Sequence, residues 1–88
     1  MNLNEQKVHN VIEAFVNEKL AQQGRPTSTL DPNCDLIVDG VIDSMGFVEL
    51  TAYLENELGD AANPHEMDAD EMTIVGPLTK FISNQLAA

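Results

Sequence analysis

The residues with the most chemical potential lie in "DGVIDSMGFVEL", Asp39 to Leu50, where a loop with acidic residues runs into Ser44 and then an amphipathic segment. A serine in that setting has three possible roles: a nucleophile, a helix cap or an attachment point. A nucleophilic serine needs a base within hydrogen-bond reach, and that base needs a third group to orient it. The chain has 2 histidines, His9 and His65, both far from Ser44 in sequence. It also lacks the G-x-S-x-G turn that presents a hydrolase serine. An autonomous serine hydrolase is therefore disfavoured. As an N-cap, Ser44 would accept an orphan N–H from the first turn. Phe47 would then stand where a capping box needs an acid. Capping serines are common, so the position alone does not separate a cap from an attachment point.

A second cluster of polar side chains, "DPNCDLIVDGVI", has the alternation of a calcium loop. Counting from Asp31, the ligand positions hold Asp31, Asn33, Asp35 and Asp39. The position that must turn on glycine holds Leu36, and the position for the bidentate glutamate holds Ile42. With two essential positions failing, a calcium site is excluded. His9, His65 and Cys34 have no metal-ligand spacing and read as ordinary surface or packing residues.

The elements that must position Ser44 follow from apolar periodicity. Leu3 to about Gln22 predicts a helix, with Val8, Val11, Ile12 and Phe15 at helical spacing and Glu5, Glu13 and Asn17 off that stripe. Gly24 and Pro26 end it. Gln23 to Asp43 is a long connection for so small a chain, and long connections are usually functional. Leu30, Leu36, Ile37, Val38, Val41 and Ile42 make it too apolar for a free tether, so an ordered loop lying across the helices is expected. "DLIVDG" has strand character but no evident partner strand. Ser44 to Leu58 predicts the clearest helix. Phe47, Leu50, Thr51, Leu54 and Leu58 lie on one side, and Met45, Glu49, Ala52 and Asn56 on the other. Gly59 suits its end. Ala61 to Met67 reads as irregular around Pro64. "MDADEM" then suggests a short helix, and Thr73 would cap a last helix with Ile74, Leu78, Phe81 and Ile82 on its apolar stripe. Pro77 would fall in or just after its first turn.

At 88 residues the chain is one domain, 1–88, with a thin core. Its 15 acids against 4 bases give a net charge of −11. That disfavours nucleic acid and anionic membrane surfaces, and favours partners with basic patches. The single Cys34 permits no internal disulfide and fits a reducing compartment. "MNLNEQKVHN" has neither a basic n-region nor an apolar h-region, and no apolar run approaches membrane-spanning length. A cytoplasmic, soluble protein is expected.

"GVIDSMGFVEL" resembles the attachment motif of phosphopantetheine-dependent acyl carrier proteins, with Asp43, Ser44 and Met45 in place of the Asp-Ser-Leu/Met element that opens their second helix. The similarity extends to the arrangement around it: a first helix, an apolar-studded loop, the motif helix ending at "ENELG", a short acidic helix and a last helix opening "MTIVGPLTKFI". It covers nearly the whole chain. The resemblance implies an all-α fold, a four-helix acyl-carrier-like bundle of three longer helices and one short. It implies 4′-phosphopantetheine, derived from coenzyme A, attached covalently to Ser44, with Asp43 as the motif residue beside it and cargo held as a thioester. The implied partners are a phosphopantetheinyl transferase, an adenylating or ligase-type loading enzyme, and a downstream acyl or aminoacyl transferase. Met45, Glu49 and Ala52 match positions that face partners in the family. The carrier would be monomeric and without catalysis of its own. Gly46, and the long approach to the last helix in "NPHEMDADEMTIVGPLTKFI", look closer to D-alanyl and other aminoacyl carriers than to fatty-acid carriers. A carrier for a fatty-acid, polyketide or nonribosomal-peptide pathway is the alternative. From a different class, a small acidic helical adaptor would use Ser44 only as an N-cap.

Overall fold

The computed structural model describes residues 3–27, 29–60, 62 and 64–87. Three α-helices account for most of them: α1 (Leu3–Gln22), α2 (Ser44–Leu58) and α3 (Val75–Ala87), with a 3-10 turn at Pro64–Glu66 between α2 and α3. The first two helices have the expected bounds. Gly24 and Pro26 follow α1 and Gly59 follows α2, residues that disfavour helix. At the end of α1 the chain closes through Gln23 N–H to the Lys19 carbonyl (3.2 Å) and Arg25 N–H to the Leu20 carbonyl (2.8 Å). At the end of α2 the Gly59 N–H bonds the Glu55 carbonyl.

The fold is all-α, but the fourth helix is absent among the described residues. The stretch expected to be a short helix, Met67 to Met72, is a bend and a series of turns. Glu71 and Met72 both donate their N–H to the Asp68 carbonyl, at 3.0 and 3.1 Å, and Ile74 closes a turn on Glu71 at 3.1 Å. Helix nucleation fixes several residues for its first bond, and so short a segment cannot recover that cost. A tertiary contact also intervenes, because Ile74 is held in an isolated antiparallel bridge with Asp35. This bridge corrects the expected capping role of Thr73 as well. α3 starts at Val75, so Thr73 lies two residues before it, with its side chain near the Asp35 carboxylate instead. Within the stretch read as irregular, Ala61 and Asn63 lie outside the described residues.

α1 is the spine, packing against both α2 and α3. Its stripe of Val8, Ile12, Phe15, Val16 and Leu20 is buried. α2 contributes Phe47, Leu50 and Leu54, and α3 contributes Val75, Leu78 and Ile82. Phe15 and Tyr53 join α1 to α2 with ring centroids 5.3 Å apart. Phe81, expected in the core, is only partly buried and packs against its edge. Leu58 does the same.

The long loop fills the remaining gap, as its apolar content implied. Leu30, Leu36 and Ile42 are buried, Ile37 and Val41 are half-buried, and Val38 is exposed. It is an ordered loop and not a strand, tied down at both ends. Near its start, Leu30 is clamped to α1, with its N–H on Glu13 Oε2 (3.1 Å) and its carbonyl accepting from His9 Nε2 (3.3 Å). Further along, Leu36 N–H bonds the Thr73 carbonyl (2.8 Å) and Val75 N–H bonds the Cys34 carbonyl (2.9 Å). Gly76 N–H reaches the Pro32 carbonyl at 2.8 Å. Only glycine permits that approach, since a Cβ at position 76 would sit 2.9 Å from the same oxygen.

Phe47 and Leu54 project from α2 into this single cluster. Replacing either by alanine should cost about 2–5 kcal/mol of stability, a large share of what so small a domain has. Denaturant titration reads this directly. An unshifted midpoint for either variant would mean that α2 presents a different face to α1.

Candidate functional site

Ser44 is the first residue of α2, and the cap is not Ser44 but Asp43. Asp43 has extended backbone angles (φ −95, ψ −177), and its Oδ1 accepts the Gly46 N–H at 2.7 Å. Its carbonyl accepts the Phe47 N–H at 2.9 Å and so starts the helical ladder. The capping role weighed for Ser44 as an alternative thus falls to Asp43. An aspartate immediately before the serine is an equally good cap, and it holds the bond the serine would have made. Ser44 is exposed, and among the described residues its hydroxyl has no hydrogen-bond partner. It projects from the end of α2 where the first-turn N–H groups and the helix dipole favour negative charge.

Gly46 has a packing reason to be glycine. A Cβ there would lie 3.1 Å from the Ile42 Cβ and 3.2 Å from Asp43 Oδ1. The buried Ile42 and the capping carboxylate thus share the space over the first turn.

The loop meets Ser44 through a chain of backbone bonds. The Leu36 carbonyl accepts both the Val41 N–H (3.0 Å) and the Ile42 N–H (2.9 Å). This folds residues 36–42 into a tight knot that delivers Asp43 to the helix start. Asp35 and Asp39 brace it from the outside. Asp35 Oδ1 accepts the Ile37 and Val38 N–H groups at 3.1 Å each, and Asp39 Oδ2 accepts the Asp35 N–H at 3.0 Å. The acids that imitated a calcium loop are therefore turn-forming side chains. No cluster of metal-ligating residues occurs among the described residues.

Two shallow hollows flank the helix start. One, of about 390 Å³, is lined by Ser44 with Arg25, Gly40, Val41 and neighbouring residues. The other, of about 210 Å³, lies between α1 and α2 and is lined by Lys19, Asp43, Met45 and Glu49 among others. Met45 and Ala52 are exposed on the outer face of α2, as expected. Glu49 is also on that face, but it is ion-paired with Lys19, whose Nζ stands 5.6 Å over the Phe15 ring. Sequence reasoning missed that pair, because Lys19 and Glu49 are brought together only by the packing of α1 on α2. It also missed Val48, which is exposed one turn beyond Ser44. A third hollow of about 310 Å³, lined by Glu5, His9, Pro32, Val75 and Lys80 among others, involves the opposite end of α1.

Neither histidine lines a hollow with Ser44. His9 bonds the Leu30 carbonyl, and His65 sits exposed in the 3-10 turn. Among the described residues no histidine stands beside Ser44 as a base. The other nucleophile, Cys34, is half-buried. Burial first, then a hydrogen bond to Asp39 and the charges of Asp39, Asp35 and Asp31, push its thiol pKa up. Cys34 stays protonated at neutral pH and is a poor nucleophile.

No helix among the described residues is long and apolar enough to cross a membrane. No protein-family model, curated protein or solved structure matches the chain.

Two predictions follow from the cap and the knot. Asp43→Ala should cost about 0.5–2 kcal/mol, whereas Ser44→Ala should stay within about 0.5 kcal/mol, in chemical denaturation. A reversed order would return the cap to the serine. The second concerns acid. The Val38 N–H chiefly, helped by the Thr73 hydroxyl and the Ile37 N–H, holds the Asp35 carboxyl below its ordinary pKa against a smaller effect of burial. A depressed folded pKa means stabilisation that is complete above the unfolded value, about 3.9, and is lost as pH falls through the folded one. Wild type should therefore lose more stability than Asp35→Asn on acidification from about pH 5 to pH 2. Parallel losses would show that Asp35 carries no such linkage.

Proposed function

We propose that the chain is a discrete acyl or aminoacyl carrier protein, with 4′-phosphopantetheine attached to Ser44 Oγ. The observation that carries this reading is the division of labour at the start of α2. Asp43 makes the capping bond, and Ser44 is left exposed with a hydroxyl that bonds no other described residue. The Asp43-Ser44-Met45 resemblance points to the same residue. In this reading the three α-helices and the ordered loop form an acyl-carrier-like bundle, with the 3-10 turn at Pro64–Glu66 in place of the short helix.

The site fits the arm. Ser44 is the nucleophile for a transferase that supplies the base and the metal, so the absence of a neighbouring histidine is no obstacle. Its Oγ forms the new bond to phosphorus while 3′,5′-ADP leaves, and its proton passes to the transferase. The phosphodiester that results lies at the N-terminal end of α2, where the dipole favours an anion. The bound arm supplies a thiol that holds cargo as a thioester. Tethering then raises the effective concentration of cargo at each partner's active site. Cys34, kept protonated, does not compete for that acyl group.

Partners of this carrier are a phosphopantetheinyl transferase, an adenylating or ligase-type loading enzyme and a downstream acyl or aminoacyl transferase. They would meet exposed Met45 and Ala52, with Glu49 at the edge. The −11 charge would steer basic faces toward the carrier, and a small apolar centre keeps docking reversible. Such a carrier works as a monomer in the cytoplasm, in keeping with its single cysteine. The kinship with D-alanyl and other aminoacyl carriers rests partly on Gly46. Because packing over Ile42 already accounts for that glycine, it does not discriminate the cargo. The adaptor alternative assigned the serine to capping, a duty that Asp43 holds.

Incubation with coenzyme A and a broad-specificity transferase should add one phosphopantetheine to the intact mass, with the modified peptide containing Ser44. Ser44→Ala should abolish it. An unchanged mass with a competent transferase, or modification at Ser83, would overturn the carrier reading.

A further inference from the structure

Every cation is scarce in this chain, with 4 Lys and Arg against 15 acids. Two of them, Lys19 and Arg25, line the hollows beside Ser44. Lys19 has Glu49. Arg25 has no carboxylate: among the described residues it, like Lys7 and Lys80 elsewhere in the chain, is in no ion pair. Its two hydrogen bonds go to uncharged oxygens, Gly40 O at 3.0 Å and Gln23 Oε1 at 3.3 Å, and both run through the same nitrogen, Nη1. A guanidinium has five N–H donors in a planar fork suited to phosphate oxygens. Arg25 lines the same hollow as Ser44, and the bond to Gly40 holds it against the loop that delivers the serine.

We propose that Arg25 is the resident counter-charge for a phosphate ester on Ser44. The inference rests on the carrier reading for the identity of that ester, the phosphodiester of the pantetheine arm. A phosphodiester adds a negative charge to a chain already at −11, close to the capping carboxylate of Asp43. The helix dipole offsets part of the repulsion. Arg25 offsets more of it by a charge-assisted hydrogen bond, and thereby sets the direction in which the arm leaves the protein. Arg25 is a positioning residue in this scheme and takes no part in forming or breaking the ester.

The test is a double-mutant cycle. Apo and phosphopantetheinylated protein are compared by Tm, each with Arg25 and with Arg25→Gln. The cost of losing the Gly40 bond is common to both forms and cancels. In the modified form Arg25→Gln should lower Tm by roughly 2–5 °C more than in the apo form, and the difference should shrink at high salt. Equal losses in both forms would overturn the proposal and leave Arg25 a loop clasp. The same cycle with Ser44→Glu against Ser44→Gln places a charge at position 44 without any transferase. If the protein proves not to be modified, the carrier reading fails. Coupling in the Ser44→Glu pair would then support Arg25 as partner of an anion there, and intact mass of protein isolated from cells would show whether that anion is a simple phosphate. Absence of coupling in that pair would overturn the Arg25 assignment as well.

Discussion

The pairing of the long loop with the start of α3 is the constraint on which the rest of the structure depends. Leu36 N–H on the Thr73 carbonyl and Val75 N–H on the Cys34 carbonyl are two bonds across nearly forty residues of chain. They place Leu36, fully buried, under the bundle, and the Leu36 carbonyl then gathers Val41 and Ile42. Asp43 is the next residue, so the knot determines where α2 begins and which way its first turn faces. The same bridge stops the acidic stretch before α3 from becoming a helix, because Ile74 is held extended opposite Asp35. One contact therefore aims the serine and removes the fourth helix.

Much of this was legible in the sequence where side chains repeat with a period. The bounds of α1 and α2, the buried face of Phe47, Leu50 and Leu54, and the exposed face of Met45 and Ala52 all come from spacing, which helices translate directly into burial. The loop was legible only in part. Its apolar residues implied that it lies on the core, yet the choice of Leu36 over Val38 for burial depends on a backbone bond to a residue far along the chain. The two wrong readings at the approach to α3 share that cause. "MDADEM" has helix-compatible residues, and Thr73 is a good cap in isolation. A long-range bridge overrode both local preferences.

The serine illustrates a different limit. A sequence that reads Asp-Ser at a helix start contains two competent caps, and propensity ranks them about equally. Geometry chose Asp43, whose carboxylate reaches the Gly46 N–H, and Gly46 is small enough to let Ile42 press against the same turn. With the cap satisfied, an exposed hydroxyl remains that bonds no other described residue. An unused polar group at the N-terminal end of a helix is tolerated at no cost because water solvates it, and for the same reason an enzyme can reach it.

Charge completes the argument at long and short range. At long range, a charge of −11 favours approach to positively charged surfaces over negatively charged ones. At short range the same charge works against any new anion on the protein. The two scales are reconciled by where the few cations lie. Lys19 and Arg25 both occupy the end of the bundle that carries Ser44, one facing each flanking hollow. Lys19 is drawn to Glu49 and packs over Phe15, so it ties α1 to α2. Arg25 is held by neutral oxygens and is in no ion pair among the described residues. Of the two cations beside Ser44, Arg25 is therefore the one that no carboxylate of the described residues engages, and the one placed to meet a new anion at the start of α2.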